Sequence, residues 1–373
     1  MKTDYNIIII GAGVIGLSIA RSLGELGHDS ILVIEKEKKY GSGVSSRSSE
    51  VIHSGIYHSN DYFKSKLCIE GRTLLYEYCD KNKVFYKNCG KIIVTSLNNE
   101  RNLRKLYEYG KSKGLDQIYL INKTDINQLE PNVSGDLGIL INYTGIIDSH
   151  SLMRSFYNES IGYDCDFLFA TSLLDASYQN PGYTLKIKTS NYAKEEVSAN
   201  WIINAAGLSS DVVAKMLSKN INTPELYFSK GSYVSLASKW KNKFNHLVYP
   251  MPEKNYDSLG VHITFDQSGD ARLGPDSVSL SRKIENYNFD NNIIDKFYSE
   301  ASKYIPTLSK NDLSPAYIGI RPKIISNNSS IKDFYINHEA SKGFKGWINL
   351  IGIESPGLTS SISIGNLVSK LVR

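Results

Sequence analysis

The chain opens on a short apolar run at residues 5–10, rich in isoleucine, with the length and β-branching of a buried strand. Glycines interrupt it at once, and residues 14–27 then carry apolar side chains at helical spacing. A second apolar stretch at residues 30–34 returns to strand, so the opening segment predicts one βαβ unit. Phe63, Leu67, Leu74, Leu75 and Tyr78 recur with helical period and predict a helix over residues 63–82, followed by a strand at 91–95 and a polar helix at 100–113. The pattern then changes. Residues 137–142, 185–189, 226–236 and 259–265 read as strands bounded by Gly, Pro and Asn, with helical patterns at 151–161, 209–218, 293–304 and 357–371. Ser355 and Pro356 have the residue types of an N-cap and first turn for the last helix. The expected fold class is α/β with mixed α+β character: a Rossmann-type nucleotide domain interrupted by a sheet-rich second domain.

Length supports that reading, because 373 residues are too many for one small module and ample for two domains sharing a chain. Charge adds little. The 43 Lys and Arg against 38 Asp and Glu give +5, spread thinly, and no basic run of the kind that binds nucleic acid occurs. Cys68, Cys79, Cys89 and Cys165 form no C-x-x-C pair and no zinc spacing, so neither a metal nor a disulfide framework is expected. A reducing, cytoplasmic location is the simpler expectation. No apolar run reaches the roughly 20 residues that span a bilayer, so any membrane contact is expected to be peripheral, at its inner face.

Gly11, Gly13 and Gly16 spell G-x-G-x-x-G directly after the first strand and at the start of the helix. The first allows the tight turn, the second lets a pyrophosphate approach the backbone, and the third lets helix and strand pack closely. Glu35 closes the second strand, where a carboxylate accepts from ribose hydroxyls and repels a 2′-phosphate. That favours FAD or NAD over NADP. A second strand ending in small residues, WIINAAG at residues 201–207, lies far from the first unit, as a discontinuous FAD domain requires.

With these features in hand, the sequence resembles the D-amino-acid-oxidase-like FAD oxidoreductases, and within them the L-2-hydroxyglutarate dehydrogenase/oxidase family. The matching segments run nearly from end to end and include EVIHSGIY at residues 50–57, CGKIIVT at 89–95, GVHITFD at 260–266, GIRPK at 319–323 and GIESPGLT at 352–359. Ser48-Ser49 stands where Asn-Ser is common, and Tyr57-His58 where paired aromatics are usual. The resemblance implies a D-amino-acid-oxidase/glutathione-reductase-like fold, with residues 1–82, 146–224 and 318–373 forming the FAD-binding domain and 83–145 and 225–317 the substrate domain. It implies that FAD is held by Gly11, Gly13, Ile15 and Gly16, by Glu35 and Lys36, and by Ser45, Ser46, Arg47 and Ser49. Leu173, Ala205 and Gly207, and then Gly357, Leu358 and Thr359 near the start of the last helix, complete the expected cofactor contacts.

Oxidising a 2-hydroxy acid removes a hydride from Cα and a proton from the hydroxyl, and a neutral imidazole suits the proton transfer. His53 and His262 lie in the two most specific segments and are the expected catalytic residues, with His262 opposing Val261 and Ile263 on a strand. Arg321 in GIRPK corresponds by resemblance to the arginine that clamps the substrate carboxylate. Lys230, Tyr233, Tyr249 and Lys323 are candidates for the distal carboxylate of a small dicarboxylate substrate. Oxygen, a quinone and a soluble carrier all stay open as electron acceptor. The competing readings are an amine or amino-acid oxidase of glycine oxidase type and a flavin-binding protein without turnover.

Overall fold

In the computed structural model, which describes residues 3–59, 61–191, 193–218, 221–252, 260–325 and 333–372, the opening βαβ unit lies at the centre of a parallel sheet. Strand Tyr5–Ile10 pairs in parallel with Ile31–Ile34 on one side and with Lys194–Asn204 on the other. Asp166–Leu168 and Trp347–Ile351 extend the parallel run outward. The run of four isoleucines is explained by burial on both faces: Ile7 and Ile9 enter one core cluster and Ile8 and Ile10 another. Helices Val14–Glu25, Phe63–Asn82, Ser149–Gly162 and Ser361–Ser369 supply Leu17, Leu75, Phe156 and Ile364 to the first of these clusters. Cys68 and Cys79 are buried on the second of those helices, and all four cysteines are unpaired.

Among the described residues a second sheet has nine strands, and Val51–Ile52, Tyr86–Lys87 and Gly145–Ile147 form a small third one. The strand Leu313–Ile325 is absent from the sequence expectation, and the boundary expected at 318 cuts through it. It pairs along its length with Glu225–Leu236, so it sits wholly with the second sheet. Pro315 and Pro322 hide it from a pattern reading, and the structure tolerates them because this strand is paired on one side only among the described residues.

Two further boundaries move. The strand expected over residues 259–265 begins at Ile263 (Leu259 lies outside the described residues), so His262 precedes the strand rather than alternating within it. The reason lies far along the chain: the Tyr304 hydroxyl donates to the Val261 carbonyl at 2.7 Å, in place of a ladder bond. The last helix begins at Ser361 with Ser360 as N-cap, not at Ser355. Residues 355–360 form tight turns, with Ser360 N donating to Pro356 O at 3.0 Å, and this segment faces a cavity instead.

Candidate active site

A cavity of about 850 Å³ runs from the glycine turn, across the carboxyl ends of the parallel strands, to the inner face of the second sheet. Its first half is built from close backbone approaches. Gly11 has φ +105°, and a Cβ there would lie 2.6 Å from the Ala205 carbonyl, so the two strand ends meet only through glycine. A Cβ on Gly16 would lie 1.9 Å from Gly11 O, which explains the third glycine as a packing residue; Gly16 does not line the cavity. Gly16→Ala is expected to lower stability by about 1–3 kcal/mol, because backbone cannot yield, and to reduce flavin content; urea unfolding and the visible absorbance of the purified protein check it.

Glu35 Oε2 accepts from Ala12 N at 2.8 Å and Oε1 from Glu37 N at 2.9 Å, so the carboxylate is fixed at the cavity edge. Each oxygen keeps a lone pair with which to accept a ribose hydroxyl. Ser45 Oγ accepts from Val14 N at 3.0 Å, and the helix has no acidic residue in its first turn to compete for an anion. Ile15, Lys36, Arg47, Ser49, Leu173, Ala205, Gly207, Gly357 and Leu358 also line the cavity. Ser46 and Thr359 do not. Ser46 Oγ donates to Gly43 O, and buried Thr359 accepts from His53 N at 3.0 Å, so it positions the histidine's backbone. A glycine cradle, an uncompensated helix N-terminus and a fixed carboxylate together fit a dinucleotide such as FAD.

The other half of the cavity gathers ionisable groups. Arg321 reaches it from the strand Leu313–Ile325, and its Nη2 donates to the Asp276 carbonyl. Gly231 makes room, since a Cβ there would collide with the guanidinium, and Gly319 lets the strand approach the Arg47 carbonyl. Tyr233 lines the same wall, stacked on Tyr317 at 4.2 Å. His262 is 4% exposed, and its ring stacks at 3.9 Å on Tyr249. Its Nδ1 lies 3.1 Å from Gly260 O. A carbonyl only accepts, so Nδ1 carries the proton of the neutral ring and Nε2 presents a lone pair. Burial, with Lys91 and Arg321 adding repulsion against the pull of the Gly260 bond, lowers His262 to about 3. His53 is likewise held well below the ordinary imidazole value, by burial first and then by Lys91, His58 and His262. Its Nε2 lies 3.2 Å from Ser355 Oγ.

The structure separates the secondary candidates. Lys323 lines the cavity, 3.9 Å from Glu354. Lys230 does not: Gly231 and Tyr233 face the cavity, and the two-residue alternation turns Lys230 away to Asp290 Oδ1 at 2.7 Å and Asn288 O. Tyr249 is fully buried behind His262 as its stacking platform. Sequence reasoning missed Lys91, Tyr57, His58, Lys64 and Glu354 as cavity residues. Lys64 donates to Glu354 at 2.8 Å. Burial works to raise the Glu354 carboxyl, but Lys64 and then Lys323 hold it below its usual range. A lysine heading an otherwise apolar strand was the one available signal for Lys91.

The family profile for FAD dependent oxidoreductases (DAO) matches residues 6–371. The mitochondrial L-2-hydroxyglutarate dehydrogenase of Arabidopsis thaliana is 32% identical over 411 residues, covering 100% of this chain and 84% of its own. The corresponding protein of Pongo abelii is 32% identical over 385 residues, covering 100% and 88%. Among solved structures, dithionite-reduced L-α-glycerophosphate oxidase from Mycoplasma pneumoniae, with FAD bound, superposes with a TM-score of 0.87 at 22% identity over 100% of this chain and 95% of that one. That likeness concerns the fold. The sequence matches span the glycine cradle and both histidine segments alike, and the chain belongs to the FAD-dependent oxidoreductases and, within them, to the L-2-hydroxyglutarate dehydrogenase family.

Proposed function

We propose that this protein oxidises L-2-hydroxyglutarate to 2-oxoglutarate. Bound FAD supplies the two-electron acceptor for the Cα hydride. The guanidinium of Arg321 holds the carboxylate beside the reacting carbon in a planar, bidentate contact. Nε2 of His262, the unprotonated nitrogen, takes the hydroxyl proton, and the Tyr249 ring and the Gly260 carbonyl fix the imidazole in that orientation. His53, held by Thr359 and Ser355, forms part of the wall beside the reacting centre. The observation that carries this reading is one cavity lined by a dinucleotide cradle, a neutral imidazole with its lone pair available, and a guanidinium that, among the described residues, is bonded to a carbonyl.

The test is anaerobic titration of the yellow protein. L-2-hydroxyglutarate should bleach the flavin, and glycine, sarcosine and D-amino acids should not. Bleaching by the amines alone would establish the glycine oxidase type of reaction instead.

The same arrangement predicts the acid side of the pH profile. A base must be neutral to act, an imidazole is neutral above its pKa, and His262 is lowered to about 3 by burial, with cations Lys91 and Arg321 facing it. kcat/KM for the dianion should therefore be flat from about pH 5 to pH 6.5, where an ordinary histidine of pKa about 6.5 would already be losing activity. An acid limb centred near the ordinary value would exclude His262 as the base.

A further inference from the structure

Lys91 is a cation that the chemistry above does not use. It begins the strand Lys91–Thr95, paired opposite Leu247 and Ile141, and is 1% exposed. Its Nζ lies 4.5 Å from the ring centres of both Tyr57 and Tyr249, and 3.5 Å from the Tyr57 hydroxyl. It lines the cavity.

Two of its cationic neighbours are neutralised by a carboxylate. Lys64 and Lys323 share Glu354, and Arg47 lies over the Tyr287 ring and donates to Ile318 O. Among the described residues, no carboxylate lies within ion-pair distance of Lys91 or Arg321, and Arg321 acts on Glu354 only as a lesser, longer-range charge behind Lys64 and Lys323. Two aromatic faces offset part of the cost of burying an ammonium, but a buried cation without an anion is stable only at a sizeable penalty. Burial accordingly lowers Lys91 to about 7, with Cys68 opposing the shift. Lys91, Arg321 and His262 line the same cavity, and both cations push the proton affinity of His262 down.

We infer that Lys91 is the second anion site of the cavity: its ammonium takes the distal carboxylate of the acid whose first carboxylate Arg321 holds, and so selects dicarboxylates over monocarboxylates. This rests on the proposed hydroxy-acid reading and adds the residue that reads the far end of the substrate. Two cations that act on one base within one cavity match a dianion with its hydroxyl between its charges. Lys230, one of the candidates for that role in the sequence, is engaged with Asp290 on the opposite face of its strand.

The test uses the FAD-loaded full chain and two unreactive ligands, glutarate and pentanoate, equal in length and differing by one carboxylate. Titration of the flavin spectrum and the ligand-induced rise in melting temperature both report binding. The wild type should bind glutarate about 30-fold more tightly than pentanoate, the scale of one charge-assisted contact. In Lys91→Met, which keeps the stem and removes the charge, the ratio should fall to within about 3-fold. Lys91→Gln serves the same comparison if the methionine variant does not retain FAD. A preserved ratio in a variant that retains FAD, or a wild type that does not distinguish the two acids, overturns the inference. Flavin bleaching by L-2-hydroxyglutarate in the wild type separates the two failures: with bleaching intact, only the role of Lys91 falls.

Discussion

Arg321→Lys should lower kcat/KM for L-2-hydroxyglutarate by about 10²–10³-fold, with most of the loss in KM. The guanidinium is a planar fork whose Nη2 is already aligned by the Asp276 carbonyl, and Gly231 leaves room for nothing larger beside it. Lysine offers the same charge as a point at the end of a shorter, freely rotating stem, so it cannot meet both carboxylate oxygens at once. Asp276 reinforces the geometry. Its Oδ1 accepts from Ser232 N at 2.7 Å and its Oδ2 from Lys296 at 2.6 Å, fixing the carbonyl that orients the arginine. Because Arg321 lies apart from the glycine cradle, flavin content should be unchanged. Steady-state kinetics with a spectrum of each preparation would decide it: a loss below about 5-fold would mean that the substrate carboxylate is held elsewhere.

His262→Gln should reduce kcat by about 10²–10⁴-fold, the usual weight of a positioned general base, with a much smaller change in KM. Glutamine retains a hydrogen-bonding group and removes the titrating nitrogen, while Tyr249 still provides a flat surface behind it. The informative comparison is His53→Gln. His53 Nε2 faces the Ser355 hydroxyl, and its backbone is tied to Thr359, which suits a wall residue. If His53→Gln causes the larger fall in kcat, the two histidines exchange roles. Rapid-reaction measurement of flavin reduction isolates this step from reoxidation by whichever acceptor the protein uses.

The cofactor half of the cavity was legible from local sequence because its requirements are local. Gly11 must adopt positive φ, Gly16 must lack a Cβ, and Glu35 must end the adjacent strand, all within one βαβ unit. Boundaries failed where a distant group claimed a backbone atom. The Tyr304 hydroxyl on the Val261 carbonyl delays a strand and leaves His262 in the connection before it. The strand that carries Arg321 was hidden by two prolines that an edge position accepts.

By itself, then, the sequence determined the dinucleotide cradle, whose spacing carries its meaning, while the two histidines and the arginine entered as candidates through the family resemblance of their segments. Tertiary structure alone decided which lysines face the site. Lys230 and Lys91 both lie on strands, and local sequence does not say which of the two faces the cavity. Strand alternation turns Lys230 to Asp290 and the Asn288 carbonyl, whereas Tyr57 and Tyr249, brought from distant parts of the chain, close over Lys91. Burial and the absence of a counter-charge are properties of that packing, and they turn an ordinary lysine into a cation poised for an anion.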